Sequence, residues 1–259
     1  MSLLMIGCGK MGSALLTRWA TSTDQNITII NPSLVKAPAG VNVTQTLEEL
    51  SGQRFDFVVI AIKPQLIAHV LPAYRPFLKD NACVISIAAG YPVASLEKLI
   101  GERAIMRVMP NLPAQIGRGV SGLYANANCS DAQLTVAKQL TDAIGYTHMT
   151  DSEDELDRVT AVAGSGPGYA FEVARCWINS AINLGFSPKA AKALVLNTLG
   201  GSIELAIKSE SNIEELRNAV TSKNGTSQAG LDTLMKSSTL ENLLESTVLS
   251  AYERAVTLR

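Results

Sequence analysis

A glycine-rich turn that begins at residue 7 constrains the fold of this chain more than any other feature. Gly7-Cys8-Gly9-Lys10-Met11-Gly12 follows directly on the apolar run 3–6 and leads directly into the helical run 13–19. In a GxGxxG turn between a strand and a helix, the first glycine permits the tight turn and the second lets a pyrophosphate reach the backbone. The third lets helix and strand pack closely, and the phosphates lie on the unpaired N–H groups and positive dipole end of the helix. The turn therefore predicts a dinucleotide-binding βαβ unit at the start of the chain.

Four further apolar runs carry the pattern on: 27–30, 57–62, 82–87 and 104–108, with helix-like segments between them. Strands of continuous apolarity belong to parallel sheets covered on both faces. Residues 1–150 are accordingly expected to form a doubly wound α/β domain of Rossmann type. From 151 to 259 the strands stop, and an acidic segment, 151–157, opens an all-α region. Its helix 167–184 is expected to be buried all round except for a stripe formed by Glu172, Arg175, Asn179 and Asn183. The next helical pattern, 188–208, holds Gly200 and Gly201 in its interior, which implies close approach by another helix. A last apolar face runs from Leu240 to Leu258. Helices this apolar point to burial against a second copy of the chain, so 151–259 is expected to be a dimerisation domain, with its 221–227 loop making it a substrate-binding one.

Composition narrows the function. Twenty-two basic against 23 acidic residues give a net charge of −1, which argues against nucleic acid or a polybasic membrane contact. Cys8, Cys83, Cys129 and Cys176 form no CxxC pair, and His69 and His148 are the only histidines. Neither a zinc site nor a disulfide framework is expected, and both histidines are read as structural. No run of 18 uninterrupted apolar residues suggests a membrane span, and no basic segment precedes the first strand to make an export signal. The expectation is a cytoplasmic protein whose chemistry belongs to an organic cofactor, with no metal.

The cofactor's contacts follow from the sheet. Ile6, Gly7, Cys8, Gly9, Lys10, Met11 and Gly12 would hold the pyrophosphate. At the end of the second strand stand Asn31-Pro32-Ser33, with no carboxylate to repel a 2′-phosphate, and Ser33 and Lys36 could receive one. NADPH is thus the expected cofactor, with NADH as the alternative. Ala61-Ile62-Lys63-Pro64 and Ala88-Ala89-Gly90, at two further strand ends, would face the nicotinamide. Lys63 is read as a structural or ribose-contacting residue. Downstream, 221–227 precedes a helical run; its hydroxyls can cap that helix and its N–H groups can bind a carboxylate.

Taken together, GCGKMG, AIKP, SIAAG, RVMPNLP, GSGPGYAF and TSKNGTS occur in the order and spacing that resemble the Δ1-pyrroline-5-carboxylate reductases, over essentially the whole chain. The resemblance implies hydride transfer from NAD(P)H to the imine carbon of a cyclic imine carboxylate, giving L-proline. It implies a homodimer with interlaced helices, which can assemble into rings. Residue by residue, it makes Ser227 the hydroxyl that meets the imine nitrogen. Ser222, Gly225 and Thr226 become contacts of the carboxylate, Glu153 a carboxylate near the ring nitrogen, and Asn111 a cofactor contact. The sequence departs from the family pattern at Lys223, Asn224 and Ser227, and also at Ala219, Leu112 and Gly168, which bears on substrate affinity and ring size. Asn224 tolerates a positive φ, so the turn can survive. Two rival readings remain. A β-hydroxyacid dehydrogenase would need a lysine on the helix after its glycine turn, and 166–188 has none. A catalytically silent dinucleotide-binding regulator would explain the altered loop.

Overall fold

The structure is a computed structural model that describes residues 1–22, 26–33 and 36–259. It divides into two compact units, residues 1–167 with 250–259, and residues 168–249.

In the first unit β1 (Ser2–Ile6) leads through the glycine turn into α1 (Lys10–Ser22), followed by β2 (Asn26–Ile30), β3 (Asn42–Thr44) and β4 (Phe55–Ile60). Then come α2 (Pro64–Val70), β5 (Leu78–Ser86), α3 (Val93–Ile100), β6 (Ile105–Pro110), β7 (Gly119–Ala125), α4 (Asp131–Asp142), β8 (Gly145–Thr150) and α5 (Glu153–Val159). The strands lie in the order β3-β2-β1-β4-β5-β6-β7-β8, and every neighbouring pair is parallel except β6 with β7. The first six strands have the order of the Rossmann-type doubly wound sheet that the sequence predicts.

Alternation along the strands divides the core into two layers. Leu3, Met5, Ile27 and Ile29 face Leu15, Trp19 and Leu140 on one side of the sheet. Leu4, Ile6, Ile30 and Ile60 face Ile67, Leu96 and Ile100 on the other. Trp19 links the first layer's helices, its indole Nε1 donating to the Leu140 carbonyl at 2.7 Å.

Three strands go beyond those read from the sequence. β3 is three residues long, and β8 is a half-exposed edge strand without a continuous apolar run. β7 contains Gly119 and Gly122, which weaken its strand signal, yet contacts require both. A Cβ on Gly122 would lie 2.7 Å from Leu156 Cδ1 and 2.9 Å from Val159 Cγ1, so the glycine is the groove that seats α5 on the sheet.

The second unit takes up α6 (Gly166–Asn183) from its third residue, then α7 (Pro188–Lys208), α8 (Ile213–Ala219), α9 (Thr226–Leu234) and the first half of α10 (Thr239–Thr257). Its apolar residues are not buried within it. Ala174, Ala191 and Val195 are its only buried hydrophobic residues, while Phe171 is 60%, Ile207 70% and Leu184 81% exposed. The expectation that α6 is buried all round is not met within one chain. A Cβ on Gly200 or Gly201 would likewise meet nothing within 4 Å. By length and composition α7 is apolar enough to cross a membrane, with a mean hydropathy of 1.2 over its most apolar window. The absence of a long uninterrupted apolar run therefore does not exclude a span on that measure.

Because α5 rests on β7 only where a side chain is missing, Gly122→Val should overpack this contact. A loss of about 1–3 kcal/mol in urea unfolding is expected.

Candidate functional site

The carboxyl ends of β1, β2 and β4 come together through backbone hydrogen bonds. Gly7 N–H donates to the Ile30 carbonyl at 2.9 Å, Ala61 N–H to Ile6 at 2.9 Å, and Ile87 N–H to Ile60 at 3.1 Å. Each loop thus leaves the sheet tied to the last carbonyl of its neighbour. Gly7 has φ +84, and a Cβ there would lie 2.5 Å from Ile62 Cγ2 and 2.9 Å from the Ala61 carbonyl oxygen. Gly12 faces Ala61, whose Cβ would be 3.3 Å from an added one, and this closeness draws α1 onto the sheet. Gly9 differs: a Cβ there would meet nothing within 4 Å.

The first helical hydrogen bond of α1 runs from Ser13 N–H to the Gly9 carbonyl at 2.9 Å. The N–H groups of Lys10, Met11 and Gly12 precede it and have no intrahelical partner. A cleft of about 760 Å³ opens beside this turn, with Ile6, Gly7, Cys8, Gly9, Ser33, Ala61, Ile62 and Lys63 among its walls. Lys10, Met11, Gly12 and Pro64 adjoin it in sequence. Free space at Gly9, unpaired N–H groups on α1 and an open cleft fit a dinucleotide pyrophosphate.

At the end of β2 the Asn31 Oδ1 accepts from Ser33 N–H at 3.0 Å and from Ser33 Oγ at 3.1 Å. No carboxylate lines the cleft among the described residues, whereas Lys63 and His69 do. Motif reasoning missed wall residues on the first helix after AIKP, among them Leu66, Val70 and His69, the last read as structural from sequence; their place on that helix was the available signal. His148 pairs with Glu155 at 3.2 Å. Around the third loop, Ala88 N–H donates to Ser86 Oγ at 3.3 Å, Ala89 is half-buried, and Gly90 has φ +67.

Two residues expected to meet ligands are engaged elsewhere. Asn111 is buried; its Nδ2 donates to the Ala163 carbonyl at 2.9 Å and its Oδ1 accepts from Val120 N–H at 2.8 Å. That side chain ties the end of β6 to β7 and to the segment after α5. Glu153 Oε1 accepts from Arg107 Nη1 at 2.7 Å and from Val93 N–H, the first residue of α3, at 3.0 Å. Arg107 is 4% exposed, and a buried guanidinium needs such a partner. The geometry gives Glu153 a bracing role.

In the second unit the 222–227 segment closes as a turn, with Gly225 N–H donating to the Ser222 carbonyl at 2.9 Å and Asn224 at φ +60, as its side chain allows. A Cβ on Gly225 would collide with Ser222 Oγ. Gly225 is the N-cap of α9, and no side chain caps that helix. This departs from the expected hydroxyl cap, because the cap position carries no side chain. It also removes the Gly225 N–H from the expected carboxylate contacts, since the turn uses it. The first helical bond is Ala229 N–H to the Gly225 carbonyl, so the N–H groups of Thr226, Ser227 and Gln228 are left at an uncapped helix start. Ser222, Thr226 and Ser227 are exposed there.

Comparison with known proteins gives two family matches. Residues 153–258 match the family model for pyrroline-5-carboxylate reductase dimerisation, and residues 2–90 match that for NADP oxidoreductase, coenzyme F420-dependent. The chain is 42% identical over 204 residues to a pyrroline-5-carboxylate reductase of Pseudomonas aeruginosa, covering 78% of this chain and 74% of that one. It is similar to the solved structure of a pyrroline-5-carboxylate reductase from Coxiella burnetii, with a TM-score of 0.91 and 30% identity over 99% of this chain and 97% of the other. It also matches a Plasmodium falciparum pyrroline carboxylate reductase with NADP bound, with a TM-score of 0.87 and 30% identity over 100% of this chain and 98% of that one.

Gly7 and Gly9 should separate folding from binding. Gly7→Ala is expected to cost about 1–3 kcal/mol in thermal unfolding, from strain and collision. Gly9→Ala should leave the melting temperature unchanged while weakening NADPH binding about tenfold, by roughly 1.4 kcal/mol, in a fluorescence titration.

Proposed function

We propose that this chain, which belongs to the pyrroline-5-carboxylate reductase family, reduces Δ1-pyrroline-5-carboxylate to L-proline, a reduced nicotinamide dinucleotide supplying the hydride to the imine carbon. The observation that carries the reading is the presence in one chain of a cleft at a GxGxxG turn with no carboxylate among its described residues and an uncapped helix start bearing Ser227. Reduction of an imine needs no nucleophile. It needs a donor at the ring nitrogen and a seat for the substrate carboxylate.

In this reading the Ser227 hydroxyl donates a hydrogen bond to the ring nitrogen and orients it. The N–H groups of Thr226 and Ser227 at the positive end of α9 hold the substrate carboxylate, together with the Ser222 hydroxyl. Cys8, Gly9 and the first turn of α1 hold the pyrophosphate. Ala61, Ile62, Ala88 and Ala89 form the wall for the nicotinamide, where small and apolar side chains let a flat ring lie on backbone. Glu153 keeps α3 and Arg107 in place beside that wall.

The cofactor preference is read from the β2 end. A carboxylate there would bind a ribose 2′-hydroxyl and repel a 2′-phosphate; Asn31, Ser33, Lys63 and His69 leave the cleft open to the phosphate. NADPH is the preferred donor and NADH the weaker one. The exposed apolar faces of α6, α7 and α10, with Gly200 and Gly201 open to a neighbour, fit a homodimer in which residues 151–259 serve as dimerisation and substrate domain. Four free cysteines suit a reducing cytoplasm.

The assay follows nicotinamide oxidation with purified protein, Δ1-pyrroline-5-carboxylate and either NADPH or NADH. Turnover with NADPH is expected; NADPH binding without turnover of any cyclic imine would favour the silent regulator. Ser227→Ala should lower kcat about 10–100-fold with NADPH affinity unchanged, and equal loss of both would make the loop structural. Ser33→Glu should raise the KM for NADPH about tenfold and leave that for NADH within about twofold, since only the former carries a 2′-phosphate.

A further inference from the structure

We propose that Arg259 is a positioning residue for the nicotinamide wall: its guanidinium, anchored on α5, holds Leu258 against Gly90 and so fixes the 88–90 loop. The inference rests on the reading of that loop as part of the cofactor cleft. Gly90 has φ +67, and a Cβ there would lie 2.5 Å from the Leu258 carbonyl oxygen and 2.6 Å from Leu258 Cβ. Backbone therefore lies on backbone at this point, and only glycine permits the approach.

Leu258 is held from both sides. Its N–H donates to the Ala255 carbonyl at 3.2 Å, continuing the last turn of α10. Beyond it, Arg259 Nε lies 2.8 Å from Asp157 Oδ2 and Nη2 lies 3.6 Å from Asp154 Oδ1. The Asp157 side chain is 3% exposed, and Arg107 and Arg259 supply the positive field that opposes its burial. Asp157 Oδ2 has no hydrogen-bond partner among the described residues, so Arg259 holds it as a buried ion pair, and neither charge can leave without stranding the other.

The same helix, α5, grips the far side of the loop. Glu153 accepts the Val93 N–H, three residues past Gly90, while Ala88 N–H is held by Ser86 Oγ. The loop is thus fixed before, at and after its glycine, and two of the three fixings refer to carboxylates one turn apart on α5. Tyr252 OH donates separately to Asp154 Oδ1 at 2.7 Å, so α10 stays on α5 when Arg259 is changed.

Full-length wild type, Arg259→Ala and Arg259→Lys are compared in imine reduction with NADPH, with melting temperatures. Most of the nucleotide is held at the glycine turn, so Arg259→Ala should lower kcat about tenfold through misalignment, with the KM for NADPH within about twofold. Arg259→Lys should recover at least half of the lost rate; Arg259→Ala, which leaves the buried Asp157 without its nearest cation, should lower the melting temperature by about 5–10 °C, with the assay run well below that midpoint. The proposal is overturned by a kcat within twofold of wild type, by a rise in KM that matches the loss of kcat, or by a lysine variant no better than alanine. Absence of turnover in the wild type would instead remove the functional reading on which the proposal rests.

Discussion

The three N–H to carbonyl bonds at the carboxyl edge of β2, β1, β4 and β5 set the geometry on which everything else depends. Gly7, Ala61 and Ile87 each begin a loop by donating to the last carbonyl of the adjacent strand, so three loops leave the sheet at one level and side by side. Parallel strands allow this because every exit lies at the same edge. Close packing of the Gly7 and Ala61 turns then requires a residue without Cβ at position 7. A Cβ on Gly9, one step further out, would meet nothing within 4 Å. One glycine is required by the protein and the next leaves room for a ligand.

Legibility in the sequence tracks the range of the interactions. β1, β2, β4, β5 and β6 are read from apolar runs because burial on both faces leaves a local mark. The edge strand β8 and the glycine-bearing β7 leave none, since what holds them is pairing with a neighbour and, at Gly122, the side chains of Leu156 and Val159. The same rule governs the site. The glycine turn and the turn before α9 are contiguous motifs and are found by spacing. The commitments of Asn111 to Ala163 and of Glu153 to Arg107 span 52 and 46 residues, and no local pattern reports that a carboxylate already has a buried cation. Gly225 shows a shorter version: its N–H closes a four-residue turn, which residue type alone does not reveal.

Acidic residues on α5 illustrate how a solvated-looking run becomes structural. Residues 151–157 read as a charged surface, yet Asp154 receives Tyr252, and Arg158 pairs with it at its other oxygen. Glu153 receives Arg107 and Val93, and Asp157 is nearly sealed from solvent. Burial pushes the Asp157 carboxyl above the usual range, while Arg259 and Arg107 act against that rise. A raised folded-state value means this group opposes folding at neutral pH and ceases to do so as the pH falls through it. That is tolerable only where the carboxylate has another purpose, and here it anchors the segment that covers Gly90.

The helical unit poses the converse problem. In residues 168–249 the buried hydrophobic side chains number three, Ala174, Ala191 and Val195, and ordering each residue costs about 1–2 kcal/mol of backbone entropy. So small an internal core cannot offset that cost across five helices or parts of helices, whatever their propensity. The apolar faces that would offset it point outward. Gly200 and Gly201, poor helix formers inside α7 with nothing within 4 Å, make sense only where another backbone comes close. A membrane would cover apolar surface without asking for glycines at one place, whereas a helix from a second copy would. The order of these helices and their capacity to present Ser227 at the start of α9 therefore depend on the same association, and the turn that would bind substrate belongs to a unit that one chain alone leaves unfinished.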